Sequence, residues 1–286
     1  MRRWWQDLTD LVLPAECGGC GRPRTVLCPE CRAALHSTAP RRVRPVPEPV
    51  GLPVVHAAAP YGGAVRATLL AHKERGVLTL AGPLGTALAR AVRAGLDTAG
   101  SGTAAGRVVP LLLVPVPSSR HAVRARGHDP ARRIALAAAG ELRRAGTAAR
   151  VAAVLRQRRP VADQSGLNSR QRLANLAGAL DVAAGGARLL TGGRVVLVDD
   201  LMTTGASLTE AARAVRAAFG DAEMADTEVY ARATGEARGE QRELERTAPA
   251  HGPRSSHGMA AGNGVGDGIC AAVVAASPDS FEKNRN

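Results

Sequence analysis

From residue 54 onward the apolar positions of this chain come in two alternating forms. Short, wholly apolar runs occupy 111–116 (LLLVPV) and 195–198 (VVLV), the pattern of strands buried on both faces of a parallel sheet. Ala-rich stretches with helical apolar spacing predict helices over 65–73, 80–96, 130–144, 169–176 and 208–219. Further strands are predicted over 53–58, 151–155 and 194–199, and over 269–276 (ICAAVVAA), which returns to the sheet as its last strand. The segments 117–129 and 157–168 are polar and read as loops. Alternating strand and helix imply an α/β fold, a parallel sheet with helices on both faces.

The chain before residue 54 is different. Residues 1–36 hold four cysteines, behind a Trp4-Trp5…Leu8…Leu11-Val12 pattern that predicts a short amphipathic helix. Residues 37–53 (STAPRRVRPVPEPVGLP) are rich in Pro and Arg and read as a stiff extended linker. The main domain is then 54–278, interrupted at 221–268 by a Gly-, Glu-, Arg- and Ala-rich insertion with few apolar anchors, and followed by a tail at 279–286.

Composition changes this picture in two ways. Of 286 residues, 45% are hydrophobic but only 2% aromatic, so the core must be made of Ala, Val and Leu. The formal net charge of +13 suits polyanionic partners, or else reflects a coding bias that favours Arg. No run of about 18 apolar residues predicts a membrane span. The N-terminus has no secretory profile, and the expected location is cytoplasmic.

Candidate chemistry concentrates in Val195-Val196-Leu197-Val198-Asp199-Asp200-Leu201-Met202-Thr203-Thr204-Gly205-Ala206-Ser207. A buried strand would end in two carboxylates at its exposed end, then turn through small residues into a helix. Ligands of open α/β sheets bind at such strand ends. Ser207 and Glu210 have the spacing of a capping box. The free N–H groups of the helix start, with the hydroxyls of Thr203, Thr204 and Ser207, suit a phosphate, and Gly205 and Ala206 allow close approach. Carboxylates would repel that phosphate unless they address hydroxyls, so Asp199 and Asp200 fit a ribose diol. The plain alternative is a strand ending in two solvated acids. No P-loop pattern occurs.

Cys17-Gly18-Gly19-Cys20 and Cys28-Pro29-Glu30-Cys31 are two C-x-x-C knuckles close together, with the spacing of a structural zinc site. Disulfides or a redox dithiol are the rival readings. Cys270, in an apolar run, reads as a core thiol.

The 195–207 string resembles the signature by which type I phosphoribosyltransferases bind 5-phosphoribosyl-1-pyrophosphate (PRPP). Other segments extend the likeness: Lys73-Glu74-Arg75-Gly76, Val114-Pro115-Val116-Pro117, Arg126-Gly127, and Gln164…Gly166-Leu167…Arg172…Asn175. With the N-terminal knuckles, the combination resembles the ComF family, competence-associated and amidophosphoribosyltransferase-like. After Arg126-Gly127 the family usually has an aromatic residue and then Asn-Gln, whereas this chain has His128-Asp129-Pro130.

The resemblance implies a type I phosphoribosyltransferase fold with a small N-terminal zinc ribbon. It implies PRPP bound with Mg²⁺, the catalytic pair Asp199 and Asp200, and a 5-phosphate site at Thr203, Thr204, Gly205, Ala206 and Ser207. The 117–129 loop would carry the pyrophosphate through Arg126, with Lys73 in support. The 157–176 segment would be a flexible hood bringing Arg170 and Arg172, or else an ordinary surface loop. Arg120 and Arg124 read equally as solvated surface. Two functions follow: transfer of ribose 5-phosphate to an unnamed acceptor with release of pyrophosphate, or a non-catalytic PRPP-sensing accessory of DNA uptake. The second would contact single-stranded DNA or DNA-processing proteins. The sequence leaves the acceptor and the oligomeric state open.

Overall fold

The computed structural model describes residues 16–98, 109–161, 168–221 and 268–281. The expected N-terminal helix and nearly all of the 221–268 insertion lie outside these residues. Eight strands are described. β1 (Arg41–Val43), β2 (Val54–Pro60), β3 (Leu111–Pro115), β4 (Ala149–Val151), β7 (Arg194–Met202) and β8 (Cys270–Ala276) form one sheet in the order β1-β2-β8-β7-β3-β4. Every pairing in it is parallel except β1 with β2. β5 (Leu155–Gln157) and β6 (Leu180–Val182) pair antiparallel as a separate ribbon.

Helices cover both faces. They are α1 (Pro29–His36), α2 (Gly63–Lys73), α3 (Ala81–Thr98), α4 (Arg120–Arg126), α5 (Pro130–Arg144), α6 (Ser169–Leu176), α7 (Gly186–Leu190) and α8, over 206–221. The period-2 geometry of a strand sorts the core into two layers. Leu111, Leu113, Val196, Val198, Ala272 and Val274 face α3 and α5, while Leu112, Val114, Val195, Leu197, Ala271 and Val273 face α8. With both faces covered, the central strands have no polar face, which is why they read as continuous apolar runs.

Small side chains let helix and sheet approach closely. A Cβ at Gly85 of α3 would come within 2.8 Å of the Ala138 backbone nitrogen in α5. An interior with almost no aromatics is therefore filled by backbone proximity rather than by large rings.

The structure departs from the sequence reading at several elements. Part of the 37–53 stretch expected as a linker is β1, which pairs with β2 in the register Arg42↔His56. The polar 117–129 stretch contains α4, capped by Ser119 accepting from the Ala122 N–H and ended by Gly127 at φ 75°. The strand expected over 269–276 does return to the sheet, as β8, and it lies inside it, with Cys270 beside both Val54 and Val196. β6 and α7 were not anticipated.

The cysteine knuckles are part of the fold rather than an appendage. Cys17, Leu27, Cys28, Cys31 and Leu35 belong to the same buried cluster as α3 and α5. A Cβ at Gly18 would lie 2.6 Å from Leu80, and Arg75 donates to the Gly18 carbonyl at 3.3 Å. No described helix is long and apolar enough to cross a membrane.

Candidate functional site

β3 and β7 run parallel in the register Pro115↔Val198, so the chain after β3 emerges beside the chain after Val198. Between them and the β5–β6 ribbon lies a cavity of about 610 Å³. Lys73, Arg126, Arg172, Asp199, Asp200, Thr203 and Ser207 line it, so the fold brings together most of the residues singled out from sequence. Among the remaining candidates, Arg170 is exposed on α6 and not part of the lining, as are Arg120 and Arg124 on α4. Gly205 and Ala206 are buried behind the turn. The φ of 77° at Gly205 favours glycine, and a Cβ there would meet Leu52 at 3.1 Å. Thr204 lies in the turn, outside the lining.

The two acids are not at an exposed strand end. β7 continues through them to Met202, and Asp200 is only 5% exposed. The β8 neighbour explains this: Asp199 sits opposite Val273 and Leu201 opposite Ala275, so pairing carries the strand past the acids. Lys73 Nζ donates to Asp200 Oδ2 at 2.9 Å, and the Asp200 N–H donates to Asp199 Oδ1 at 2.8 Å. Burial, then the charge of Asp200, pushes the Asp199 carboxyl well above the usual carboxylate range; Lys73 and the Asp200 N–H work against them. Burial alone would lower the Lys73 ammonium, but the charges of Asp200 and Asp199 outweigh it and raise its pKa.

Arg172 reaches across from α6 and donates to Thr203 Oγ1 at 3.2 Å. Its Nε is buried with no partner among the described residues, a donor aimed by the fold but not used by it. Arg126 donates through Nε to its own helix, at Ala122, and forms a 3.4 Å ion pair with Glu74. The 117–129 segment is closed at its base by Asp129, whose carboxylate accepts from the Ser118 N–H at 3.2 Å and the Arg132 N–H at 3.1 Å. Three cations, two acids and four hydroxyls, those of Ser118, Ser119, Thr203 and Ser207, around one cavity suit an anionic ligand that also carries hydroxyl groups.

Sequence reasoning missed the tether between ribbon and α8. Glu210 does not form the expected capping box with Ser207. It accepts instead from the Leu180 N–H at 2.9 Å, and Arg213, paired with it at 2.8 Å, donates to the Leu180 carbonyl at 2.8 Å. Burial opposes ionisation of Glu210, but Arg213 and the backbone N–H groups of Leu180 and Gly178 outweigh it and lower its pKa. Ser118, Ser119 and Gln157 also line the cavity. Only Ser119 left a local signal, as a cap residue.

The second constellation is the four cysteines. The sulfurs of Cys17, Cys20, Cys28 and Cys31 all lie within 4.8 Å of one another, and all four are free thiols. Cys28 caps α1 and Cys31 lies in its first turn, while a Cβ at Gly19 would lie 2.6 Å from Cys31 Sγ. Burial raises the Cys17 thiol, but the N–H groups of Cys28, Cys20 and Gly19 overcome it and lower its pKa to about 6. Burial and the neighbouring sulfurs push Cys31 up. A metal ion among the four sulfurs would favour their thiolate forms, and the donor set fits a metal such as zinc. Cys270 is buried in β8, away from that group.

Neither a scan against protein-family models nor a comparison with curated proteins finds a match to this chain. The class that stands is an α/β protein with a mostly parallel six-stranded sheet and an N-terminal cluster of four metal-competent cysteines.

Proposed function

We propose that the chain is a PRPP-binding protein of the type I phosphoribosyltransferase kind, related to the ComF family, which transfers ribose 5-phosphate to an acceptor and releases pyrophosphate. The observation that carries this reading is the opening of Asp199 and Asp200 onto one cavity with Thr203, Ser207, Lys73, Arg126 and Arg172. In this reading the acids accept hydrogen bonds from the ribose diol and stabilise positive charge growing at C1. The turn over 203–207 takes the 5-phosphate, and Lys73, Arg126 and Arg172 meet the pyrophosphate as it leaves. Mg²⁺ arriving with the ligand would neutralise phosphate charge. The β5–β6 ribbon and α6 roof the cavity and exclude water, which would otherwise capture the ribosyl cation. Zinc is the metal proposed for the four cysteines.

Calorimetry with PRPP and Mg²⁺ tests the site. Replacing Asp199→Asn and Asp200→Asn together removes charge-assisted hydrogen bonds of roughly 1.5–3 kcal/mol each, so affinity should fall at least about tenfold. Equal affinity in both proteins, or none in the wild type, would overturn the reading. A non-catalytic PRPP sensor would bind identically, and release of pyrophosphate with a panel of amines and bases separates it from an enzyme.

A further inference from the structure

One buried ring joins the two backbone stretches that carry Lys73 and Arg126. His128 directly follows Gly127, whose φ of 75° ends α4 and turns the chain back on itself. His128 Nδ1 lies 3.1 Å from the carbonyl oxygen of Arg126, and Nε2 lies 3.1 Å from that of His72. A carbonyl only accepts, so a hydrogen bond to either oxygen is donated by a ring N–H. At 7% exposure His128 has little water to replace either partner. The His72 ring packs against it edge-on, with centroids 5.5 Å apart.

The two carbonyls are not arbitrary ones. One belongs to Arg126 and the other to the residue just before Lys73, and both of these cations line the cavity. Their side chains approach from different elements, α4 and α2, which no strand pairing links. The ring therefore supplies a direct link between them, beside the 3.4 Å Arg126–Glu74 ion pair on the exposed side.

We infer that His128 is a positioning residue, which holds the backbones at Lys73 and Arg126 so that both cations face the cavity together, where they would meet a pyrophosphate. The inference rests on the PRPP reading and deepens it. It divides the cavity into a pyrophosphate half that depends on His128 and a 5-phosphate half, at 203–207, that does not.

Two probes on the full chain separate the halves: pyrophosphate with Mg²⁺, and ribose 5-phosphate. In His128→Phe the ring volume stays and both ring nitrogens go. Pyrophosphate affinity should fall about tenfold, the scale of one misplaced charge-assisted hydrogen bond, while ribose 5-phosphate affinity stays within about twofold. His128→Gln, whose amide nitrogen carries two N–H donors, should recover most of the loss. If the Phe variant loses cooperative unfolding, His128→Asn takes its place: its short amide reaches one carbonyl only, and the same selective loss is expected. A wild type that binds both probes, with variants that weaken both equally or neither, overturns the positioning role alone. A wild type that binds neither overturns the PRPP reading and this inference with it.

Discussion

Asp199 sits where a carboxylate is costly. Its pKa is raised by burial and by the adjacent charge of Asp200, so ionising it opposes folding. The sign follows from linkage: a carboxyl whose folded pKa lies above its unfolded value loses stability as pH rises from the unfolded value, about 3.9, towards the folded one. Asp199→Asn removes that cost and keeps an oxygen for the Asp200 N–H. The variant should therefore melt about 2–4 °C higher at pH 7, the shift that roughly 1 kcal/mol gives a domain of this size. The gain should vanish as pH falls below about 4, where the wild-type carboxyl is protonated in both states. Melting scans of the two proteins at pH 3.5 and 7 check this, and a wild type more stable at both would refute the burial argument.

Among the elements, the β5–β6 ribbon is held in place by side chains of another element, α8. Glu210 and Arg213 of α8 grip the N–H and the carbonyl of Leu180, and Ala206 packs with Leu176 and Ala179 in a small cluster. The ribbon is thus tied to the helix whose start forms the 203–207 turn, rather than hung as a free flap. Glu210→Ala leaves a buried N–H without an acceptor and should lower unfolding free energy by about 1–3 kcal/mol, whereas Glu210→Gln, which still offers an oxygen, should cost less. Denaturant midpoints of both variants measure this, and equal losses would argue for charge rather than for the hydrogen bond. The same contact shows where sequence reading stopped. The Ser207–Glu210 spacing fits a local cap, but the true partner of Glu210 is thirty residues earlier. β1 and β6, of three residues each, carry too little pattern to be read and exist only through their pairing partners. β7, the 203–207 turn and the cysteine knuckles were legible because each is set by consecutive residues. His128, by contrast, looked like a departure in the loop until its two carbonyl partners were seen.

At the scale of the whole molecule, the cysteine group and the α/β core share one buried cluster, so metal and fold should stand or fall together. Metal analysis of the pure protein should give about one zinc per chain. Cys28→Ser with Cys31→Ser should lose it and lower the denaturant midpoint of a single cooperative transition; two separate transitions would show an independent unit. The sheet has a comparable dependence at its centre. Among the described residues, β8 is the only strand that joins β2 to β7, and it is the last strand in sequence. Without β8 the other described strands of this sheet fall into two unjoined groups, β1–β2 on one side and β7–β3–β4 on the other. Lys73 follows the first half and Asp200 lies in the second, so their 2.9 Å contact bridges the two. The cavity thus spans two halves of the sheet that β8 couples, so a substitution that unseats β8 would part Lys73 from Asp200 while leaving the pairings within each half in place.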